Sequence, residues 1–125
     1  MSSVTLSISN GIATITLDNA AKQNALTQEM LSALGRILDE VEAEAGVRAV
    51  LLTSAGERFF CAGADINAWS GLSPQEFARI WVRGGHRLFD RLARLGKPTI
   101  AVLHGNAFGG GLELAAACDI RVMAP

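Results

Sequence analysis

The chain has 125 residues, half of them hydrophobic, with 11 Lys or Arg against 12 Asp or Glu and a formal net charge of −1. That length suits one domain at most, at the usual ~100–200 residues each. The near-neutral charge, with no basic run, excludes a nucleic-acid-binding face.

Val4, Leu6 and Ile8, then Ile12, Thr14 and Thr16, alternate around Asn10-Gly11, which predicts a β-hairpin with a two-residue turn. Residues 18–24 read as a polar loop. Thr27 is placed to cap a helix over 28–45, with Met30, Leu34, Ile37, Leu38 and Val41 as one stripe and Gly46 as its stop. Residues 49–53 read as a short buried strand. A loop carrying Phe59 and Phe60 leads into Cys61-Ala62-Gly63-Ala64-Asp65-Ile66.

Ser73-Pro74-Gln75-Glu76 holds an N-cap, a first-turn proline and a carboxylate able to close a capping box. The helix it starts carries Phe77, Ile80, Trp81, Leu88, Phe89 and Leu92 inward. Gly84-Gly85 at its middle costs about 1 kcal/mol each relative to alanine, so a kink or a close contact is expected there. Gly96-Lys97-Pro98 ends it. Residues 100–103 read as a strand, 110–117 as a helix and 120–123 as a strand. The alternation of strands and helices gives an α/β class with parallel pairing.

The longest apolar runs, such as 100–103 and 114–118, are far shorter than the ~20 residues of a membrane helix. The start of the chain carries no basic and apolar leader pattern. Cys61 and Cys118 are too few for a disulfide framework, and no cysteine or histidine spacing suggests a metal. A reducing cytoplasm, no membrane and no metal are the resulting expectations.

Two segments carry chemistry. Gly109-Gly110-Gly111-Leu112-Glu113 joins an apolar strand to an apolar helix, offering unpaired N–H groups aimed by the helix dipole at negative charge. Glu113, one turn on, leans back toward the same point. The apolar residues around it predict a buried helix and hence a buried carboxylate, which is costly without a role or a partner. The same glycines also suit a tight packing device. In Ala62-Gly63-Ala64-Asp65, small residues would let a ligand approach the backbone, with Asp65 bonding nearby N–H groups; an ordinary loop reads the same way.

Beside these stand Thr14-Ile15-Thr16-Leu17-Asp18-Asn19, Asn24-Ala25-Leu26, Pro98-Thr99-Ile100-Ala101-Val102, Gly105-Asn106-Ala107-Phe108 and Cys118-Asp119-Ile120-Arg121. In this order and spacing, over essentially the whole chain, the text resembles the crotonase family of acyl-coenzyme A enzymes, the enoyl-CoA hydratases and isomerases. The resemblance implies a crotonase-like ββα spiral, with residues 1–125 forming the N-terminal part of the core domain and the C-terminal helical trimerisation part absent. It implies that the Ala64 and Gly110 N–H groups form an oxyanion hole for a thioester carbonyl, each donor worth about 3–4 kcal/mol of barrier. Glu113 matches a catalytic glutamate acting as general acid/base. Backbone around Lys22, Gln23, Ala62 and Ile66 would contact coenzyme A, with Asp65 supporting the loop; Lys22 equally suits a solvated surface lysine.

The implied partner is an acyl-CoA substrate, with no separate cofactor, in a homo-oligomer (trimer or hexamer) of fatty acid metabolism. Trp69 and Trp81 fit an acyl tunnel, a core or a subunit contact. His104 reads as a satisfied core histidine, His86 as a surface residue and Cys61 as a small packed one. Family chains are about twice this length, and a hydratase carries a second glutamate in a Phe-Gly-x-Pro-Glu segment after the last strand here. A fragment of a longer hydratase is therefore expected, ahead of a truncated gene product. An isomerase or another enzyme of the fold, or an inactive acyl-CoA-binding module, are the alternatives. A phosphate loop is disfavoured, because no GxxxxGK[ST] lysine is present.

Overall fold

The computed structural model describes residues 2–125. Strands β1 (Ser3–Ser9) and β2 (Ile12–Asp18) form the expected hairpin, antiparallel from Ser3 opposite Asp18 to Ser9 opposite Ile12. Asn10 and Gly11 take φ of 53° and 78°, as a type I′ turn requires. The inward face of β2 is Ala13, Ile15 and Leu17, all fully buried, with Leu6 and Val4 opposite the last two. The alternation through Ile12, Thr14 and Thr16 is thus the wrong phase of this strand. Threonine satisfies strand propensity on the half-exposed face, whereas register with Val4 and Leu6 decides which face is buried.

Helix α1 (Gln28–Ala43) starts where Thr27 accepts a hydrogen bond from the Met30 N–H at 3.1 Å. Its buried stripe is the expected one with Leu31 added, and it packs on β1 and β2. Each such aliphatic side chain contributes about 1.5–3 kcal/mol over its exposed state. At the other end Lys97 Nζ donates to the carbonyls of Val41, at 2.8 Å, and Glu44. A cation there meets both the unpaired carbonyls and the negative end of the dipole.

Strand β3 (Ala49–Ser54) lies parallel to β2; β5 (Thr99–Leu103) and β7 (Ile120–Met123) extend the sheet in the order β1-β2-β3-β5-β7, all parallel beyond β2. The Thr99 N–H donates to Asp119 Oδ2 and the Asp119 N–H to Thr99 Oγ1, both at 2.9 Å, fixing β5 to the entry of β7. Phe59 and Phe60 are not in a loop. They form β4 (Phe59–Cys61), which pairs in parallel with β6 (Asn106–Ala107) in a separate two-stranded sheet. Strands of two and three residues show no alternation from which a sequence could announce them.

The expected long helix is three pieces: α2 (Pro74–Glu76), a π-helical stretch Phe77–Arg83, and α3 (Gly84–Ala93). The capping box is present, with Ser73 Oγ accepting from the Glu76 N–H at 3.1 Å and Glu76 Oε1 from the Ser73 N–H at 3.0 Å. The break expected at Gly84-Gly85 lies on their N-terminal side, as a change of hydrogen-bond register. More residues per turn keep Phe77 and Trp81 on one face and rotate Ile80 outward, so Ile80 is exposed rather than inward. A Cβ on Gly84 or Gly85 would meet no atom within 4 Å, so no close contact explains the pair. Among the described residues no helix is long and apolar enough to cross a membrane.

Helix α4 (Gly110–Ala117) buries Gly111, Leu114 and Ala115. Its first turn lies hard against the end of β4: a Cβ on Gly111 would stand 2.2 Å from the Cys61 carbonyl oxygen. Gly63 takes φ +104°, and a Cβ there would reach the Phe108 carbonyl oxygen at 3.0 Å. Both positions therefore need glycine for two backbones to touch.

Two stability effects are expected. Lys97→Met removes a cation from the last turn of α1 and lowers unfolding free energy by about 1 kcal/mol in urea titration; an unchanged midpoint would contradict the cap. Gly63→Ala combines a strained φ with a contact that must yield, and costs about 1–3 kcal/mol; a loss below about 0.5 kcal/mol would show that the loop adapts freely.

Candidate active site

The two glycine-bearing segments meet. Residues Phe108 to Gly111 form a turn in which the Gly111 N–H donates to the Phe108 carbonyl at 2.8 Å. Gly109, at φ 51° and ψ −122°, occupies the corner that only glycine readily adopts. On the facing side, Leu26 bridges the 62–65 loop: its N–H donates to the Gly63 carbonyl at 2.7 Å and its carbonyl accepts from the Asp65 N–H at 2.8 Å. That pairing turns Ala64 the other way.

Most amides here are engaged. Ala62 donates to Gln23 O at 3.0 Å, Phe108 to Cys61 O at 3.0 Å and Glu113 to Gly109 O at 3.0 Å. The Ala64 and Gly110 N–H groups donate to nothing among the described residues. They are also neighbours, since a Cβ on Gly110 would lie 3.9 Å from the Ala64 nitrogen. Two unpaired donors, one at a helix start, make a place where an oxygen gaining negative charge is stabilised.

A cavity of about 430 Å³ opens on this spot, lined by Ala62, Gly63, Ala64, Gly109, Gly110 and Glu113. Glu113 is exposed, not buried as the composition of its helix suggests. The faces of α4 that carry Leu112, 57 % exposed, and Glu113 have nothing packed on them, so the carboxylate stands at the cavity in contact with solvent. The far wall is aromatic. Trp69 meets Phe77 and Trp81 edge to face, with ring centroids 5.1 and 5.9 Å apart, and Phe89 completes it. Trp69 Nε1 has no hydrogen-bond partner among the described residues.

The remaining expected residues lie apart from that cavity, Ala62 and His86 excepted. Asp65 is buried and accepts from the Asn67 N–H at 3.0 Å, the loop-anchoring bond anticipated for it. Lys22 Nζ approaches Asp65 Oδ2 at 3.8 Å with its side chain 61 % exposed, so it is both surface lysine and ion-pair partner. The Gln23 carbonyl accepts from the Ala62 N–H while the Gln23 N–H donates to the Ala20 carbonyl, and Ile66 is 69 % exposed. Burial pushes the Cys61 thiol up to about 11 against a backbone hydrogen bond from Gly63 that lowers it, so it packs as a neutral residue. His86 is exposed. His104 is not the satisfied core histidine expected, since its ring is part-buried and Nε2 finds no partner among the described residues.

Two positioning residues escaped the sequence reading. Asn24, buried at φ 56°, donates through Nδ2 to the carbonyls of Ala55 at 2.8 Å and Phe59 at 3.0 Å, and accepts from the Asn19 N–H at 2.8 Å. It thereby fastens the 18–24 loop beside β4. Leu26 lines the cavity and makes the bridge that frees Ala64. An asparagine at the end of a polar loop was the one available signal, and it looked like any other turn residue.

Residues 7–125 match the family described as Enoyl-CoA hydratase/isomerase. A probable enoyl-CoA hydratase of Bacillus subtilis is 40% identical over 124 residues, 99% of this chain and 47% of that protein. A short-chain-enoyl-CoA hydratase of Clostridium acetobutylicum is 37% identical over 98% of this chain and 46% of its own length. The chain thus spans about half the length of the curated relatives it matches. The crystal structure of an enoyl-CoA hydratase from Bacillus anthracis superposes with a TM-score of 0.90 at 33% identity, over 96% of this chain and 46% of that one. In sequence and in its crotonase fold, the chain belongs to the enoyl-CoA hydratase/isomerase family.

Proposed function

We propose that this chain is the N-terminal part of an enoyl-CoA hydratase, which adds water reversibly across the double bond of a 2-enoyl-CoA thioester. The observation that carries the reading is the adjacency of two unengaged amides, on Ala64 and Gly110, at a cavity that also holds the Glu113 carboxylate. The thioester oxygen accepts from both N–H groups. As water oxygen bonds to the β-carbon, the π electrons move toward the carbonyl, and the charge gathering on that oxygen is held by the two donors. One donor of this kind is worth about 3–4 kcal/mol of barrier. A proton then reaches the α-carbon and the carbonyl reforms.

Glu113 serves as general acid/base near the reacting carbons. Hydration needs one group to activate water and another to place the proton, so the reading assigns a second acid/base to the rest of a longer protein. Addition of water is redox-neutral and calls for no electron carrier. Coenzyme A enters as part of the substrate, with Lys22, Gln23, Ala62, Asp65 and Ile66 as the region that receives it. The reading carries with it a cytoplasmic enzyme working as a trimer or hexamer. Two free buried thiols suit a reducing compartment, and exposed Leu112, Ile120, Val122 and Met123 suit burial against further protein.

A second reading, enoyl-CoA isomerase, is favoured by one observation: Glu113 is the single carboxylate lining this cavity among the described residues. One carboxylate suffices to shuttle a proton between carbons. Products separate the two, a 3-hydroxyacyl-CoA from hydration and a shifted enoyl-CoA from isomerisation.

In the protein at its full native length, Glu113→Gln is expected to lower kcat for crotonyl-CoA hydration by about 10²–10⁴-fold while the fold persists. A fall of less than about tenfold would remove Glu113 from the chemistry. Absence of any turnover by the folded native protein would remove the hydratase reading itself.

A further inference from the structure

From the cavity wall opposite the two amides, we infer the class of acyl group this enzyme prefers: a 2-enoyl thioester with a medium or long alkyl chain, with Gly85 as the residue that leaves room for it. The inference rests on the thioester reading above and adds to it. Beyond Ala64, Gly110 and Glu113, the cavity is lined mainly by apolar side chains, Trp69, Phe77, Trp81 and Phe89 included, with His86 the one further titratable group among the described residues. A methyl group on the β-carbon would leave most of that apolar wall facing water. A longer chain covers it, and each buried methylene adds favourable transfer free energy. At about 430 Å³ the space lies in the range that encloses a ligand much larger than a four-carbon acyl group.

Gly85 shares this wall, in the first turn of α3, immediately after the π-helical stretch that carries Trp81. A Cβ there would meet no atom within 4 Å. Glycine at this point therefore serves neither a backbone conformation nor a close packing contact, although a helix interior disfavours it. What its missing side chain does is keep the cavity open between Trp81 and Phe89. The π register contributes too, by holding both Phe77 and Trp81 on the cavity side. Gly85 acts here as a specificity-determining residue and takes no part in proton transfer.

The test is kcat/KM for trans-2-decenoyl-CoA relative to crotonyl-CoA, measured on the native-length protein and on Gly85→Leu and Gly85→Ala variants. The native protein is expected to favour the ten-carbon thioester by about tenfold or more. Gly85→Leu is expected to shrink that ratio at least about tenfold, with Gly85→Ala between the two. Should Gly85→Leu fail to fold, the native ratio and the Gly85→Ala shift decide the matter. Equal or better turnover of crotonyl-CoA by the native protein overturns the inference and leaves the hydratase reading standing. A ratio unmoved in folded Gly85→Leu overturns the role of Gly85. No turnover of either thioester overturns the hydratase reading, and this inference with it.

Discussion

The constraint on which this structure turns is a contact between two backbones: the first turn of α4 pressed against the end of β4. Any side chain on Gly111 would strike the Cys61 carbonyl at 2.2 Å, and one on Gly63 would crowd Phe108. The contact is sealed by the Phe108 N–H on the Cys61 carbonyl at 3.0 Å. Several amides of the two loops are spent on such bonds, whereas those of Ala64 and Gly110, which are neighbours, donate to nothing among the described residues. Unpaired donors are costly when buried and useful when an incoming oxygen can accept them. Asn24 supports this corner by fastening its loop to the Ala55 and Phe59 carbonyls.

The rest of the site follows from that geometry. Glu113 sits one turn into α4, on a face that nothing covers, and so looks into the same cavity as the amides. Trp69, Phe77 and Trp81 line the same cavity with rings packed edge to face. In the proposed reading, an electrostatic end and an apolar end in one cavity divide the labour: the first would stabilise developing charge, the second would hold an acyl chain.

Much of this was legible in the sequence wherever the signal is local. The Asn10-Gly11 turn, the Thr27 cap, the Ser73–Glu76 capping box and the bounds of α4 and β7 each depend on a few adjacent residues, and each appears where expected. What depends on distant partners was not legible. The buried phase of β2 is chosen by its pairing with β1, and β4 with β6 are too short to show a pattern. The π stretch is a matter of hydrogen-bond register, which turned Ile80 outward. Glu113 looked buried because its neighbours are apolar, yet exposure depends on what packs against a helix. For the site, the two glycine segments could be named in advance through their resemblance to a family. That Leu26 would free one of the amides could not, because a bridge between residues 26 and 64 leaves no mark on either segment.

The central claim is that the Ala64 and Gly110 amides bind one oxygen together. The most direct measurement is the proton chemical shift of these two amides, by NMR on isotope-labelled native-length protein titrated with butyryl-CoA, a saturated thioester that cannot react. Both signals are expected to move downfield together and to saturate at the same concentration, while the engaged amides of Ala62 and Phe108 stay close to their starting values. Saturable binding that leaves either the Ala64 or the Gly110 signal in place would contradict the claim.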